Sequence, residues 1–122
     1  MSDKTPRLGT SVLGDAELLE KARHSENGRR FTLLYDHGWN SSVVRGVYEK
    51  PRHARVALVC HLVWWTRHDT RQARRLFTRS ALCPDDRTRY QEYFTTLVQS
   101  ALRLLGTECY EPNYTSTSPN GI

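Results

Sequence analysis

The sequence predicts an all-α fold, a compact single domain of about five helices with a disordered C-terminal tail. Three observations carry this. Apolar residues recur at helical spacing, as in Ala73, Leu76 and Phe77 or in Tyr93, Phe94, Leu97, Val98, Ala101, Leu102 and Leu105. Helix punctuation brackets these runs, with Asp69 before one and Gly106 after the other. The chain of 122 residues is 38% hydrophobic and 25% charged, enough for one hydrophobic core without metal or disulfide staples. The expected organisation is a flexible arm over 1–13, a helical domain over 14–106 and a disordered tail over 107–122, which is rich in Ser, Thr, Pro and Asn.

Gly14-Asp15 offers an N-cap for a first helix over about Ala16–Arg23, buried along Leu18, Leu19 and Ala22. A second helix, over about Gly28–Asp36, places Phe31, Leu34 and Tyr35 on one face, with Gly38 to close it. Residues 39–51 are the weakest stretch. Val43, Val44, Val47 and Tyr48 fit a short strand or an apolar loop, and Pro51 ends it. The third helix, about Arg52–Thr66, is apolar on nearly every face from Val56 to Trp65, as expected of a helix surrounded by neighbours. Asp69 caps a fourth helix over about Thr70–Ser80, with an apolar stripe on one side and arginines on the other. Pro84-Asp85-Asp86 opens the last helix, which runs to Leu105 with Gly106 at its end.

Little in the chain points to an enzyme. There is no glycine-rich phosphate loop, no His-Glu-x-x-His and no Gly-x-Ser-x-Gly. The one adjacent acid pair, Asp85-Asp86, is explained by capping. His53 and His61 sit eight residues apart on one helix, about 12 Å by helical rise and too far to share an ion. Cys60, Cys83 and Cys109 form no Cys-x-x-Cys pair. They are read as free thiols in a reducing cytoplasm, with neither metal nor cofactor expected. No apolar run approaches a membrane span, and the N-terminus lacks the apolar core of a secretory signal.

The charge is uneven. Between Arg45 and Arg79 nine Lys/Arg face two acids, a net of +7 in a chain whose total is +5, so the remainder is −2. Arg71, Arg74, Arg75 and Arg79 share one side of the fourth helix, and Arg52, Arg55 and Arg67 flank it. Guanidinium groups in such a row suit phosphate oxygens or a protein's carboxylates. These seven arginines are the candidate site for a nucleic-acid or protein partner. Trp39, Trp64 and Trp65 are possible stacking residues, with the two on the third helix read first as core.

The residues also resemble a known family. Asp15-Ala-Glu-Leu-Leu-Glu-Lys-Ala-Arg, then Asn27-Gly28-Arg-Arg-Phe31 through Tyr35, Gly38 and Trp39, resemble the opening of a small helical domain of phage, plasmid and archaeal primase–polymerases, described as their helicase-binding domain. The resemblance continues through Ala57-Leu58, Leu62, Trp64-Trp65-Thr66 and Asp69. It then takes in Arg75-Leu76-Phe77-Thr-Arg79-Ser80-Ala-Leu82 and, in the last helix, Tyr93 and Ala101-Leu102. It covers roughly residues 14–105. The chain departs from the pattern in three places. Arg52-His53-Ala54-Arg55 stands where the family has a Ser-Glu-Ala-Asp-like helix start. Arg67-His68 replaces a glycine-rich link, and a tryptophan expected after Leu82 is missing.

The resemblance implies a stand-alone, non-enzymatic accessory module in DNA replication of a mobile element. Its partner would be a replicative helicase or primase–polymerase, with DNA as a second partner at the arginine face. The alternative is a small DNA-binding transcriptional or copy-control regulator that uses the fourth helix for recognition.

Overall fold

The computed structural model describes residues 9, 11–39, 41–83, 90–106 and 109–110, with the backbone alone at 90–92. Among these residues there are six helices and no strand: α1 (Asp15–Arg23), α2 (Gly28–Thr32), α3 (Ser42–Val47), α4 (Pro51–Trp65), α5 (Thr70–Thr78) and α6 (Tyr90–Leu105). The all-α expectation holds. The expected opening of the last helix at Pro84–Asp86 lies outside the described residues.

Helix α4 is the axis of the molecule. Lys50 is extended and Pro51 takes the first helical position, where its missing N–H costs nothing. From Ala57 to Trp65 every α4 side chain is buried, because α6 runs along one side and α5 and the end of α2 close the others. The core joins Leu58, Leu62 and Val63 to Phe31 and Leu34, to Leu76 and Phe77, and to Phe94, Leu97 and Ala101. His61 is fully buried beside Phe31, with the ring centroids 5.8 Å apart. Cys60 is also buried, and desolvation pushes its thiol up to about 12, so it stays protonated at neutral pH.

Helix α2 widens into a π-helical turn at Leu33–His37, so the expected single helix is one α segment followed by a looser one. That turn is held from two sides. The Tyr35 hydroxyl donates to the Leu76 carbonyl at 2.9 Å, and the Ala81 N–H donates to the Tyr35 carbonyl at 2.8 Å. Arg23 pairs with Asp36 through both nitrogens and lies over the Tyr35 ring. Gly38 then turns the chain at φ +70, where a Cβ would sit 2.7 Å from the Ala81 carbonyl oxygen.

The stretch expected as a strand or loop is a helix instead. Ser41 caps α3 by accepting from the Val43 N–H at 3.3 Å, and Val44 is buried against the π turn. Val43 and Val47 point outward, 59% and 49% exposed. Three valines raise the local strand propensity, but one side-chain cap and one buried anchor outweigh it.

The α4–α5 corner is a Schellman turn. The His68 N–H bonds the Val63 carbonyl at 2.8 Å and the Arg67 N–H bonds the Trp64 carbonyl at 3.2 Å, with both residues left-handed at φ 56 and 65. Two terminal segments dock here. The Gly9 N–H donates to the Arg67 carbonyl, and the Tyr110 N–H donates to the Trp64 carbonyl at 2.8 Å. Leu13 and Tyr110 are both buried. Residues 1–8, 10, 107–108 and 111–122 of these segments lie outside the described residues.

Candidate functional site

Helix α5 starts as expected, with the Asp69 carboxylate accepting from the N–H groups of Arg71 and Gln72. Leu76, Phe77 and Ala73 bury one side, and Arg71, Arg74, Arg75 and Arg79 stay exposed. These four divide between two flanks, because residues 74 and 79 lie about 140° apart by helical geometry.

On one flank, α1 supplies a counter-charge. Arg75 grips Asp15 in bidentate fashion, Nε to Oδ2 and Nη2 to Oδ1, both at 2.8 Å. Arg79 adds a longer contact of 3.5 Å, and Gln72 Nε2 donates to Asp15 Oδ1 at 2.9 Å. The hydrogen bonds from Arg75, with those from Gln72, hold the Asp15 carboxyl down at about 2. The same contact raises the pKa of Arg75. Two of the four arginines therefore fasten α5 to α1. Of the expected cap pair Gly14-Asp15, Gly14 holds the cap position and Asp15 is the latch.

On the other flank, α5 and α6 leave a notch of about 230 Å³ lined by Thr70, Arg74, Phe94, Thr95, Val98 and Gln99. Phe94 and Val98 form its apolar base, and Arg74 stands at its rim. The sequence offered a partial signal for it. Phe94 and Val98 are four residues apart on the expected buried face, and Thr95 and Gln99 repeat that spacing beside them.

The three flanking arginines have different situations. Arg52 is exposed and donates to Ser100 Oγ on α6 at 3.2 Å. Arg55 is half-buried, donates to the Leu82 carbonyl at 2.9 Å and to the Tyr93 hydroxyl at 3.2 Å, and lies over the Tyr93 ring. It braces α4 against the segments that follow α5. Arg67 is only 2% exposed, and its Nη1 donates to the Tyr110 carbonyl at 2.7 Å. It is absent from the exposed face because the Schellman turn folds its side chain inward under Tyr110.

The tryptophans follow the same division. Trp64 and Trp65 are buried, and Tyr110 stacks on Trp65 at 5.2 Å between centroids. Trp39 is half-buried beneath Arg45, 6.0 Å from its guanidinium carbon. Away from α5, a second hollow lies between α2 and α3, lined by Arg29, Leu33, His37 and Val43 among others. Among the described residues no cluster of three His, Cys, Asp or Glu could hold a metal ion. No helix there is long and apolar enough to cross a membrane.

The family model described as the NrS-1 polymerase HBD domain matches residues 52–112. The matched span runs from the first turn of α4 through α5 and α6 to Tyr110, and contains all seven arginines. Residues 14–51 of the resemblance lie outside it. No curated protein matches the chain, and no solved structure does.

Proposed function

The chain belongs to the NrS-1 polymerase HBD domain family, and from that premise we propose that it is a helicase-binding accessory module, without catalysis of its own. It serves DNA replication of a mobile element by docking on the replicative helicase, or on the primase–polymerase that works with it. The observation that carries this reading is the span of the match, which takes in the α4–α5–α6 frame and the pinned Tyr110.

The arginines support a protein partner ahead of DNA. A phosphate backbone is held by many cations at once, and affinity then falls by roughly 0.9 log units per contact for each log unit of salt. Here Arg67 is buried, Arg55 is committed to Leu82 and Tyr93, and Arg75 and Arg79 face Asp15. Arg71, Arg74 and Arg52 are exposed, and Arg52 donates to Ser100 Oγ. The regulator reading would need the whole outer face of α5 in a major groove, and Asp15 occupies one side of it.

The direct test is calorimetry or analytical ultracentrifugation of this protein with the replicative helicase of the same replicon. A complex whose affinity changes little between low and physiological salt is expected. Absence of a complex, with tight and salt-sensitive binding to duplex DNA instead, would overturn the proposal. Footprinting on the replicon's origin and promoters should show no preferred site.

A further inference from the structure

We propose that the hollow between α2 and α3 is a second docking site, and that its occupant is an acidic protein segment seated by one apolar side chain. The inference stands apart from the helicase-binding reading, because every residue lining this hollow lies before the matched span 52–112.

Shape comes first. The hollow has a volume of about 530 Å³, against about 150 Å³ for a dry cavity that holds a benzene ring. A Leu- or Phe-sized anchor fits there together with its flanking backbone. Two of the lining residues, Leu33 and His37, are the first and last of the π-helical turn. Such turns are rare and gather at functional sites.

Apolar surface comes second. Among the described residues four large apolar side chains are exposed, and two of them, Val43 and Val47, stand one turn apart on α3. Val43 lines the hollow beside the half-buried Leu33. Single surface valines need no explanation, but a pair at the edge of a concave site marks an interface.

Charge decides what kind of segment it takes. Arg23, Arg29 and His37 line the hollow, and among the described residues no acid does. Asp36 pairs with Arg23 from outside the lining. The Arg29 guanidinium is exposed and, among the described residues, meets no hydrogen-bond or ion-pair partner. Its planar fork is left for a carboxylate of the occupant, and the exposed His37 adds a second donor at the same rim. No Phe, Tyr or Trp lines the hollow, so a nucleic-acid base finds no platform to stack on. A phosphate backbone presents no apolar group to Leu33 and Val43. An acidic peptide with an apolar anchor matches both parts of the lining.

The test uses the full chain and a labelled peptide, Asp-Asp-Asp-Phe-Asp-Asp-Asp, read by fluorescence anisotropy. Wild type should bind it, and replacing the Phe by Ser or every Asp by Asn should weaken binding about tenfold or more. Arg29→Glu and the double variant Val43→Gln/Val47→Gln should do the same from the protein side. All three side chains are exposed, so both variants should melt close to wild type. Arg103→Glu, on α6, makes the same change in net charge as Arg29→Glu and should bind as wild type does. No binding by wild type at millimolar peptide overturns the proposal, and so does an equal loss with Arg103→Glu. Full affinity in the double valine variant removes the apolar seat and overturns it as well. Oligothymidylate that binds wild type, excludes the peptide and is lost with Arg29→Glu would make the hollow a phosphate site instead. The assay contains no helicase, so each of these failures leaves the helicase-binding reading standing.

Discussion

Arg67 Nη1 donates to the Tyr110 carbonyl at 2.7 Å, so a buried guanidinium ties the chain beyond α6 to the corner between α4 and α5. The position is unusual for arginine. It is the left-handed residue of a Schellman turn, which glycine fills at least strain. Both Arg67 and His68 have positive φ, a geometry that suits the glycine-rich link the resemblance leads one to expect here. An arginine is retained there at a cost of roughly 1–2 kcal/mol in backbone strain, offset by a charge-assisted hydrogen bond in a buried setting.

Replacement of Arg67 by Ala removes the bond and keeps the strain, so a loss of about 2 kcal/mol is expected. Arg67→Gly loses the same bond but relieves the strain, and should cost about 1 kcal/mol less. His68→Gly keeps the Tyr110 tie and should stabilise by roughly 0.5 kcal/mol. Urea unfolding would rank the three. Tryptophan emission of Arg67→Ala should also shift to the red as Tyr110 leaves Trp65. A stability order with Arg67→Gly below Arg67→Ala would contradict this account.

The Asp15 latch sets a pH dependence of known sign. Its carboxyl titrates at about 2 in the folded chain against an ordinary value of 3.8, so the unfolded state takes up a proton first as pH falls. The contribution is therefore fully present above about pH 4 and is lost as pH falls toward 2. Asp15→Asn should cost about 1 kcal/mol at pH 7, a partly exposed pair being weakened by solvent, and the difference should vanish only as pH falls through 2. Denaturation of both proteins across that range checks it. Parallel pH profiles would show that Asp15 does not hold α5 through its charge.

Much of this frame is legible in the sequence, for identifiable reasons. α4 and α5 can be read because local signals mark their ends, Pro51 and Asp69 at the starts and the apolar run that stops at Trp65. α3 cannot, because its valines favour a strand and what decides is the packing of Val44 against a turn that itself depends on Tyr35 reaching α5. The arginine face is legible as a face but not as two flanks. Asp15 lies 60 residues from Arg75, and no local pattern announces a pair at that separation. The notch is a product of two helices meeting, so the sequence shows only its lining residues. Arg67 misleads most, since a cation after a buried helix looks like surface until the turn and Tyr110 are known.

Two glycines should respond in opposite directions. Gly28 opens α2 with its Cα against α1, where a Cβ would fall inside contact distance of the Arg23 carbonyl and 3.0 Å from the Ala22 carbonyl oxygen. Those are backbone atoms and cannot swing away, so Gly28→Ala should cost about 2–3 kcal/mol. Gly46 lies in α3 with open space around its Cα, and Gly46→Ala should stabilise by roughly 0.5–1 kcal/mol through helix propensity. Melting temperatures of the two variants test the packing of α2 and the existence of α3 together. A destabilised Gly46→Ala would count against the helix.

The seven arginines separate into scaffold and surface, and mutation should sort them without a partner present. Arg55→Ala removes bonds to the Leu82 carbonyl and the Tyr93 hydroxyl together with the contact over the Tyr93 ring, and should cost about 1–2 kcal/mol. Arg75→Ala opens the latch, so its urea midpoint should fall and the folded-state pKa of Asp15 should rise. Arg71→Ala and Arg74→Ala lie at exposed positions, where surface contacts are worth under about 1 kcal/mol, and their midpoints should stay near wild type. It follows that a triple Arg71/Arg74/Arg75 variant mixes a fold effect with a binding effect, because Arg75 holds the Asp15 latch. Equal destabilisation by all four single variants would contradict this division between scaffold and surface.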